Sequence, residues 1–232
     1  QKQLIEFYCK KIKGLYKHAQ AMKTAICNIK IIEGFSEDNR MSICVTKNTL
    51  EANEQWLTRL FKELDNRYPE SKLNNKIIII SSKKNDLDGN ATHCKNVQDA
   101  IYLLTKKNDF KIIFMCSNKR RITDILDISI RIKDNVQIRK NLYILHDEAH
   151  NPKEGIPPYR EIIENILLLP NVISYTPVSA SLGDIADETN PLWIKSNLEK
   201  TAINYLNYNE KYNVKSNSQN YSSISNYIQT NI

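Results

Sequence analysis

Short apolar runs alternate with segments of helical periodicity along most of this chain. Four consecutive isoleucines within 76–81 are typical of a strand buried on both faces. Further strands are predicted at 15–19, 41–46, 111–116, 141–145 and 172–179. Apolar residues recur every three or four positions in the intervening segments, which predicts helices over 24–33, 50–64, 97–104 and 122–132 and between Pro158 and Pro170.

The alternation of strands and helices predicts the α/β class, with a mainly parallel sheet and helices on both faces. Gly34 is predicted to end the first helix, and Asn48 to cap the second with Glu51 as its capping-box partner. Because ligands of such sheets bind outside the carboxyl ends of the strands, the residues after each strand are the informative ones. The pattern fades after Trp193, and 209–232 is rich in Asn, Ser, Tyr and Lys.

Composition narrows the class of protein. The chain has 232 residues, 41% of them hydrophobic, which suffices for one sizeable core. A net charge of +7 favours a polyanionic partner, although basic charge is also common on solvated surfaces. No apolar run approaches the ~20 residues that span a bilayer, and the first residues do not resemble a signal peptide. The five cysteines form no Cys-x-x-Cys pair, which indicates reduced thiols in a cytosol-like compartment.

Two carboxylates directly follow the strand predicted at 141–145, in the order His146, Asp147, Glu148, Ala149, His150. At the mouth of a sheet, the first carboxylate can hold Mg²⁺ and the second can orient an attacking water. One alternative is a solvated pair of acids at a loop start. Another is a zinc site, but the histidines do not follow the His-Glu-x-x-His order, and a strand end does not present positions i and i+4 on one face.

The residues 147–150 resemble the Asp-Glu-Ala-His box of superfamily 2 helicases. This resemblance implies a RecA-like P-loop NTPase, a three-layer sandwich that uses ATP and Mg²⁺. It assigns Asp147 to the metal and Glu148 to catalysis, and it requires a phosphate loop upstream. The segment that ends in Lys23 and Thr24, before a helix, fits that place.

In this resemblance Lys23 acts on the phosphates, Thr24 binds Mg²⁺, and Gln20, Ala21 and Met22 contact the nucleotide. The segment departs from the family pattern because Lys17 and Met22 stand where glycines are expected. Glycine normally lets the loop backbone approach phosphate closely. The alternative is an ordinary turn between a strand and a helix.

Further matches to the family follow in its order along the chain. Ser179 and Ser181, after the last strand, resemble the Ser-Ala-Thr motif that couples nucleotide state to nucleic-acid binding, and His150 would work with them. Gln3 is placed as the adenine-reading glutamine. The residues that would contact the nucleic-acid backbone are Thr46, Lys47, Asn48, Ser117, Asn118 and Lys119. Turns and helix caps are the alternative explanation for these six.

The resemblance implies that 1–205 form the first RecA-like, ATP-binding lobe of a helicase or translocase. Residues 206–232 would be a polar extension toward a second lobe, in the same protein or a partner, that carries the arginine finger. Weak or absent hydrolysis is therefore expected of this lobe alone. The expected polymer is nucleic acid, with DNA favoured over RNA, and no membrane is expected.

Two other classes of function stay open. The glycine-free loop would suit a nucleotide- or nucleic-acid-binding module that does not hydrolyse ATP. Alternatively, the chain is an interaction lobe of a larger nuclease or packaging machine. The richness in Lys, Asn and Ile reflects AT-rich codons, which fits a large DNA virus or an intracellular parasite. The expected location is accordingly cytosol-like, including a viral factory or virion, and not secreted.

Overall fold

The computed structural model describes residues 10–16, 23–67, 76–82, 91–181 and 183–201. Gln3, Gln20, Ala21, Met22 and the extension 206–232 lie outside them. The strands are β1 (Leu15–Tyr16), β2 (Arg40–Thr46), β3 (Ile77–Ile80), β4 (Thr92–Cys94), β5 (Ile112–Cys116), β6 (Asn141–His146) and β7 (Val172–Ser179). The helices are α1 (Lys23–Glu33), α2 (Leu50–Arg67), α3 (Val97–Lys106), α4 (Lys119–Asp134), α5 (Arg160–Leu168) and α6 (Lys195–Thr201).

All the strands pair in parallel, in the spatial order β1-β7-β6-β2-β5-β3-β4. Alternate residues of each central strand point to opposite faces, so the sheet separates two apolar cores. In β5, Phe114 packs with α1 and α2 on one face, whereas Ile113 and Met115 pack with α3, α4, α5 and α6 on the other. The three-layer arrangement explains why these strands are apolar throughout.

The predicted α/β class, the parallel sheet and the helices on both faces are confirmed. Two elements were not anticipated: β4, which contains His93, and α6, which follows the buried Trp193. The prediction of Asn48 as the cap of α2 is wrong. Thr49 caps this helix, because its Oγ1 accepts the Ala52 amide at 3.2 Å, while the Asn48 amide side chain is directed elsewhere.

A basic residue stands at the amino end of each of four adjacent strands. Arg40 begins β2, and Lys76, Lys111 and Lys140 directly precede β3, β5 and β6. Lys140 Nζ donates to the Asp38 carbonyl at 2.9 Å, and Lys111 Nζ donates to the Glu37 carbonyl. Arg40 donates to the carbonyl of Lys30 in the last turn of α1, and Lys76 pairs with Asp109 at 3.3 Å. These four cations are therefore bound within the protein.

Cys27, Cys44, Cys94 and Cys116 are free thiols, and the first three are buried. Burial raises the pKa of each of these four thiols, which keeps them protonated near neutral pH. In the part of the chain that the structure describes, no helix combines the length and apolar character needed to cross a bilayer.

Candidate nucleotide site at the carboxyl edge of the sheet

The strand order brings the predicted site residues to one edge. β7 lies between β1 and β6, and β2 is the next neighbour of β6. The carboxyl ends of β1, β7, β6 and β2 are therefore adjacent. They present, in that order, the start of α1, then Ser179, then the acid box, and then Thr46.

The Lys-Thr pair and the acid box meet at this edge, although they are far apart in the sequence. Lys23 Nζ lies 3.7 Å from Glu148 Oε1. Lys23 and Thr24 are the first two residues of α1, so the lysine that contacts Glu148 comes from the N-terminus of this helix. This proximity is what the resemblance requires of a phosphate-binding pair and a metal-binding pair.

Backbone bonds fix the position of the acid box. The Asp147 amide donates to the Val45 carbonyl at 2.9 Å, and the Ala149 amide donates to the Val178 carbonyl at 3.0 Å. Glu148, between them, has φ of 50°, the one positive value among the non-glycine residues that the structure describes. Such a conformation is costly for a residue with a Cβ, and strained residues of this kind cluster at functional sites.

Asp147 has a raised proton affinity at this position. Burial and the neighbouring charge of Glu148 raise the pKa of Asp147 to about 6, against the opposing effects of Lys23, a backbone bond and His150. Burial is the main cause of the raised pKa of Cys27, and Asp147 adds to it, which places negative potential over the second turn of α1. A divalent cation at this point would relieve the repulsion.

His150 and the two serines also lie at this edge. His150 Nδ1 is 3.4 Å from Glu148 Oε2, on the other carboxylate oxygen from Lys23, although the geometry is not that of a hydrogen bond. Ser179 Oγ accepts the Ser181 amide at 2.9 Å and donates to the Ser181 carbonyl. This local turn occupies the Ser179 hydroxyl, and no direct bond between it and His150 is present.

His146 belongs to a buried hydrogen-bond chain that sequence reasoning did not identify. Its Nδ1 is 2.6 Å from Tyr175 Oη, and its Nε2 is 2.9 Å from Ser117 Oγ. Burial lowers the pKa of His146 to about 3, so the imidazole is neutral. Because neighbours engage both ring nitrogens, His146 and His150 do not form the metal-ligating pair weighed from the sequence.

The loop after the acid box, residues 147–156, is called the acid loop below. Ser117 Oγ donates to the Glu154 carbonyl, and the backbone amide of Asn48 donates to Glu154 Oε2 at 3.3 Å. The Ile156 amide donates to the Ala149 carbonyl at 2.8 Å, which folds the loop back on itself. A Cβ at Gly155 would collide with that same carbonyl, so only glycine fits there without a shift.

The predicted nucleic-acid residues divide into buried and exposed groups. Thr46 and Ser117 are 1% and 2% exposed, and their hydroxyls bond to Asn53 and Glu154, so they do not present a hydroxyl to a polymer on the surface. This departs from the expectation for both side chains: Thr46 ends β2, Ser117 directly follows β5, and both are buried.

The remaining members of the predicted polymer-binding set stay near the surface. Asn118 Nδ2 donates to Asn48 Oδ1 at 3.0 Å, while Asn118 Oδ1 caps α4 by accepting the Arg121 amide. Lys47 and Lys119 are exposed on either side of this amide pair. Asn48 and Asn118 are called the amide pair below. The exposed surface for a polymer thus comprises two lysines and two amides.

The residues present are compatible with Mg²⁺ and a triphosphate. Asp147 would supply a hard oxygen ligand of the kind that Mg²⁺ prefers, and Thr24 a hydroxyl in the first turn of α1. Mg²⁺ usually keeps several waters and uses few protein ligands. Within the described ranges there is no group of three or more His, Cys, Asp or Glu side chains arranged to hold a metal by themselves.

Comparison of the chain with models of protein families, with curated proteins and with solved structures finds no match. What the molecule itself establishes is an all-parallel α/β sheet whose carboxyl edge gathers Lys23, Asp147, Glu148 and His150.

Proposed function

We propose that this chain is the nucleotide-binding lobe of a helicase-like ATPase, with a RecA-like arrangement of its sheet. The contact between Lys23 and Glu148 is the observation that supports it most directly. Lys23 begins α1 and Glu148 follows β6, so the two residues come from elements far apart in the sequence. Their meeting beside a helix N-terminus forms an anion-binding point next to a cation-binding point.

Each residue has a distinct part in this proposal. Lys23 and the first amides of α1 bind the phosphates. Asp147 and Thr24 hold Mg²⁺, which neutralises charge that develops on the phosphates. Glu148 orients and deprotonates the attacking water, and its positive φ sets the direction of its carboxylate. His150 contacts Glu148 from the other side and would transmit its state toward Ser179 and Ser181.

The reaction would be coupled to movement on nucleic acid, with DNA favoured over RNA. Lys47, Lys119 and the amide pair provide contacts of the kind that bind a phosphate backbone without reading sequence. A second motor lobe would supply the arginine finger, whose loss typically lowers the rate by ~10³–10⁵. A single lobe is therefore expected to bind ATP weakly and to hydrolyse it slowly.

A nucleotide-binding module that does not hydrolyse ATP is the second candidate. Met22 and Lys17 stand where the family has glycines, and Lys23 pairs with Glu148, the residue that would activate water. Turnover separates the candidates: Mg²⁺-ATP binding with no hydrolysis, even with a second lobe present, favours the binding module.

The proposal is tested by calorimetric titration of Mg²⁺-ATP into the parent chain and two matched variants. Lys23→Met removes the phosphate cation, and Lys30→Met removes a half-buried lysine two turns further along the same helix. We expect Lys23→Met to lower ATP affinity about 10- to 100-fold, as for the removal of a charged hydrogen bond. Lys30→Met should retain parent affinity. Equal affinity of Lys23→Met and the parent would show that this segment is not a phosphate site.

A further inference from the structure

The hydrogen-bond chain around His146 has one consistent direction. The Glu154 carbonyl can only accept, so Ser117 Oγ is its donor and must accept from His146 Nε2–H. His146 Nδ1 then carries no proton and accepts from Tyr175 Oη. The donors therefore run from Tyr175 through His146 and Ser117 to Glu154, which joins β7, β6 and β5 to the acid loop.

The two middle members of this hydrogen-bond chain adjoin residues of the proposed function. His146 directly precedes Asp147, and Ser117 directly precedes Asn118. Glu154 provides a second connection between the acid loop and the amide pair. Its carbonyl accepts from Ser117, while its carboxylate accepts from the backbone amide of Asn48. A displacement of the acid box would thus reach the amide pair by two short routes.

The hydrogen-bond chain around His146 contains more polar groups than packing alone requires. Leu142 and Ile144 precede His146 on the same face of β6 and pack in the same apolar core. A third apolar residue at 146 would avoid the cost of burying an imidazole, a phenol hydroxyl and a serine hydroxyl. Networks of this kind hold the groups that they join in one arrangement, because any broken bond leaves a buried polar atom unsatisfied.

We propose that His146, Ser117 and Glu154 are positioning residues that couple the carboxylate pair to the amide pair, so that nucleotide at Lys23 and Glu148 changes the affinity for nucleic acid. This inference rests on the proposed function and adds the route by which its two ligands act on each other. The coupling is a free energy, and the structure assigns it to named hydrogen bonds that can be removed one at a time.

The test is a thermodynamic cycle on the full chain. The affinity for a fluorescein-labelled single-stranded thymidine 12-mer is measured with and without Mg²⁺ and a non-hydrolysable ATP analogue. The ratio of the two dissociation constants is the coupling factor, expected to be about 5- to 150-fold for the parent. In Ser117→Ala and Tyr175→Phe the factor should fall toward one. Each ligand alone should still bind with a dissociation constant within about threefold of the parent value, because both hydroxyl-bearing residues are buried.

Two variants separate positioning from stability. Ser117→Thr keeps the hydroxyl and should restore the factor. Glu164→Gln changes a part-buried network elsewhere in the protein, where Glu164 accepts from Trp193 Nε1 and Asn190 Nδ2, and should leave the factor at the parent value. A purely structural role would lower the stability of Ser117→Ala without changing the factor. Nitrogen-15 spectra should also show the His146 ring protonated at Nε2 alone.

The outcomes are distinguishable. An unchanged factor in Ser117→Ala and Tyr175→Phe, or a parent factor of one with both ligands bound, overturns the coupling and leaves the proposed function intact. A His146 ring protonated at Nδ1 overturns the direction of the hydrogen bonds and the inference with it. A parent chain that binds no ATP analogue overturns the proposed function and, with it, the coupling.

Discussion

At the amino edge of the sheet the charged side chains form hydrogen bonds or ion pairs within the protein. At the carboxyl edge the carboxylates Asp147 and Glu148 are adjacent to each other, and Glu148 is in contact with Lys23. Helices that return over a parallel sheet end at the amino edge, where their last carbonyls need donors. Lys140, Lys111 and Arg40 donate to carbonyls at this edge. These basic side chains therefore stabilise the fold.

The carboxyl edge receives the starts of the helices, and Asp147 and Glu148 are adjacent there, with Glu148 3.7 Å from Lys23. Burial, followed by the charge of Glu148, raises the pKa of Asp147, so the ionised form of Asp147 is disfavoured at this position. The contrast supports the proposal that charge at the carboxyl edge serves a ligand, while the charge at the amino edge is bonded within the fold. It also shows why net charge was a weak guide: part of the +7 lies inside the amino edge.

The largest expected effect is on turnover at the carboxyl edge. Residues 1–232 alone should hydrolyse ATP near the background rate, and joining a second motor lobe with an arginine finger should raise the rate by ~10³–10⁵. Glu148→Gln in the joined protein should return it to background, while Glu161→Gln, exposed on α5, should not. The measurement is phosphate release with and without Mg²⁺. Rapid Mg²⁺-dependent hydrolysis by 1–232 alone, abolished in Glu148→Gln, would contradict the need for a second lobe.

The cost of the acid pair should appear in the pH dependence of stability. The pKa of Asp147 is about 6 when folded and 3.8 when unfolded, so the folded state binds more protons between these values. Its contribution to stability therefore falls as pH rises from about 4 to about 6, and the full penalty is present above that. Asp147→Asn should be more stable than the parent by at most about 3 kcal/mol at pH 7 and similar to it at pH 3.5.

Urea unfolding at a series of pH values checks this. The comparison with the parent isolates Asp147, because His146 is present in both proteins and its effect cancels in the difference. In each protein alone, His146 acts in the opposite sense to Asp147. Its pKa is about 3 when folded and 6.5 when unfolded, so its contribution is lost as pH falls through that range. If the difference in unfolding free energy between the parent and Asp147→Asn is the same at every pH, the pKa of Asp147 is not raised in the folded state.

At the amino edge the opposite result is expected. Lys140→Met removes the donor to the Asp38 carbonyl at a position only 4% exposed, and should destabilise the chain by about 1–3 kcal/mol. Affinity for Mg²⁺-ATP should not change, because the residue lies at the other end of β6. Unfolding and nucleotide titrations of the same sample measure both. A variant of parent stability that binds ATP more weakly would reverse the assignment of the two edges.

The smallest expected effect concerns the exposed lysines of the carboxyl edge. Lys47→Ala with Lys119→Ala should weaken single-stranded oligonucleotide binding similarly for unrelated sequences. The slope of log affinity against log salt should flatten by about one to two units, one for each phosphate that the variant no longer neutralises. The exposed Lys106 and Lys107, at the end of α3, provide a matched double-alanine control. If both double variants match the parent at every salt concentration, Lys47 and Lys119 are solvated charge and not a binding surface.

Local pattern determined much of this protein. The isoleucine run of β3 and the apolar periods of α1, α4 and α5 predicted these elements within a few residues. Apolar residues on a buried face recur with the period of the strand or helix that carries them, so the pattern is visible locally. The alternation of the two periods determined the α/β class. The position of Asp147 and Glu148 directly after a buried strand determined that both would reach the carboxyl edge.

Tertiary structure decided which side chains meet. The insertion of β7 between β1 and β6 and the contact of Lys23 with Glu148 depend on strand order, which no local period specifies. The burial of Thr46 and Ser117 depends on neighbouring elements that lie far away in sequence. The bonds of His146 to Tyr175 and Ser117, and of Lys140 to Asp38, join partners that the sequence separates by about 30 residues or more. A polar side chain finds its partner by proximity in the folded chain, so its role becomes visible only there.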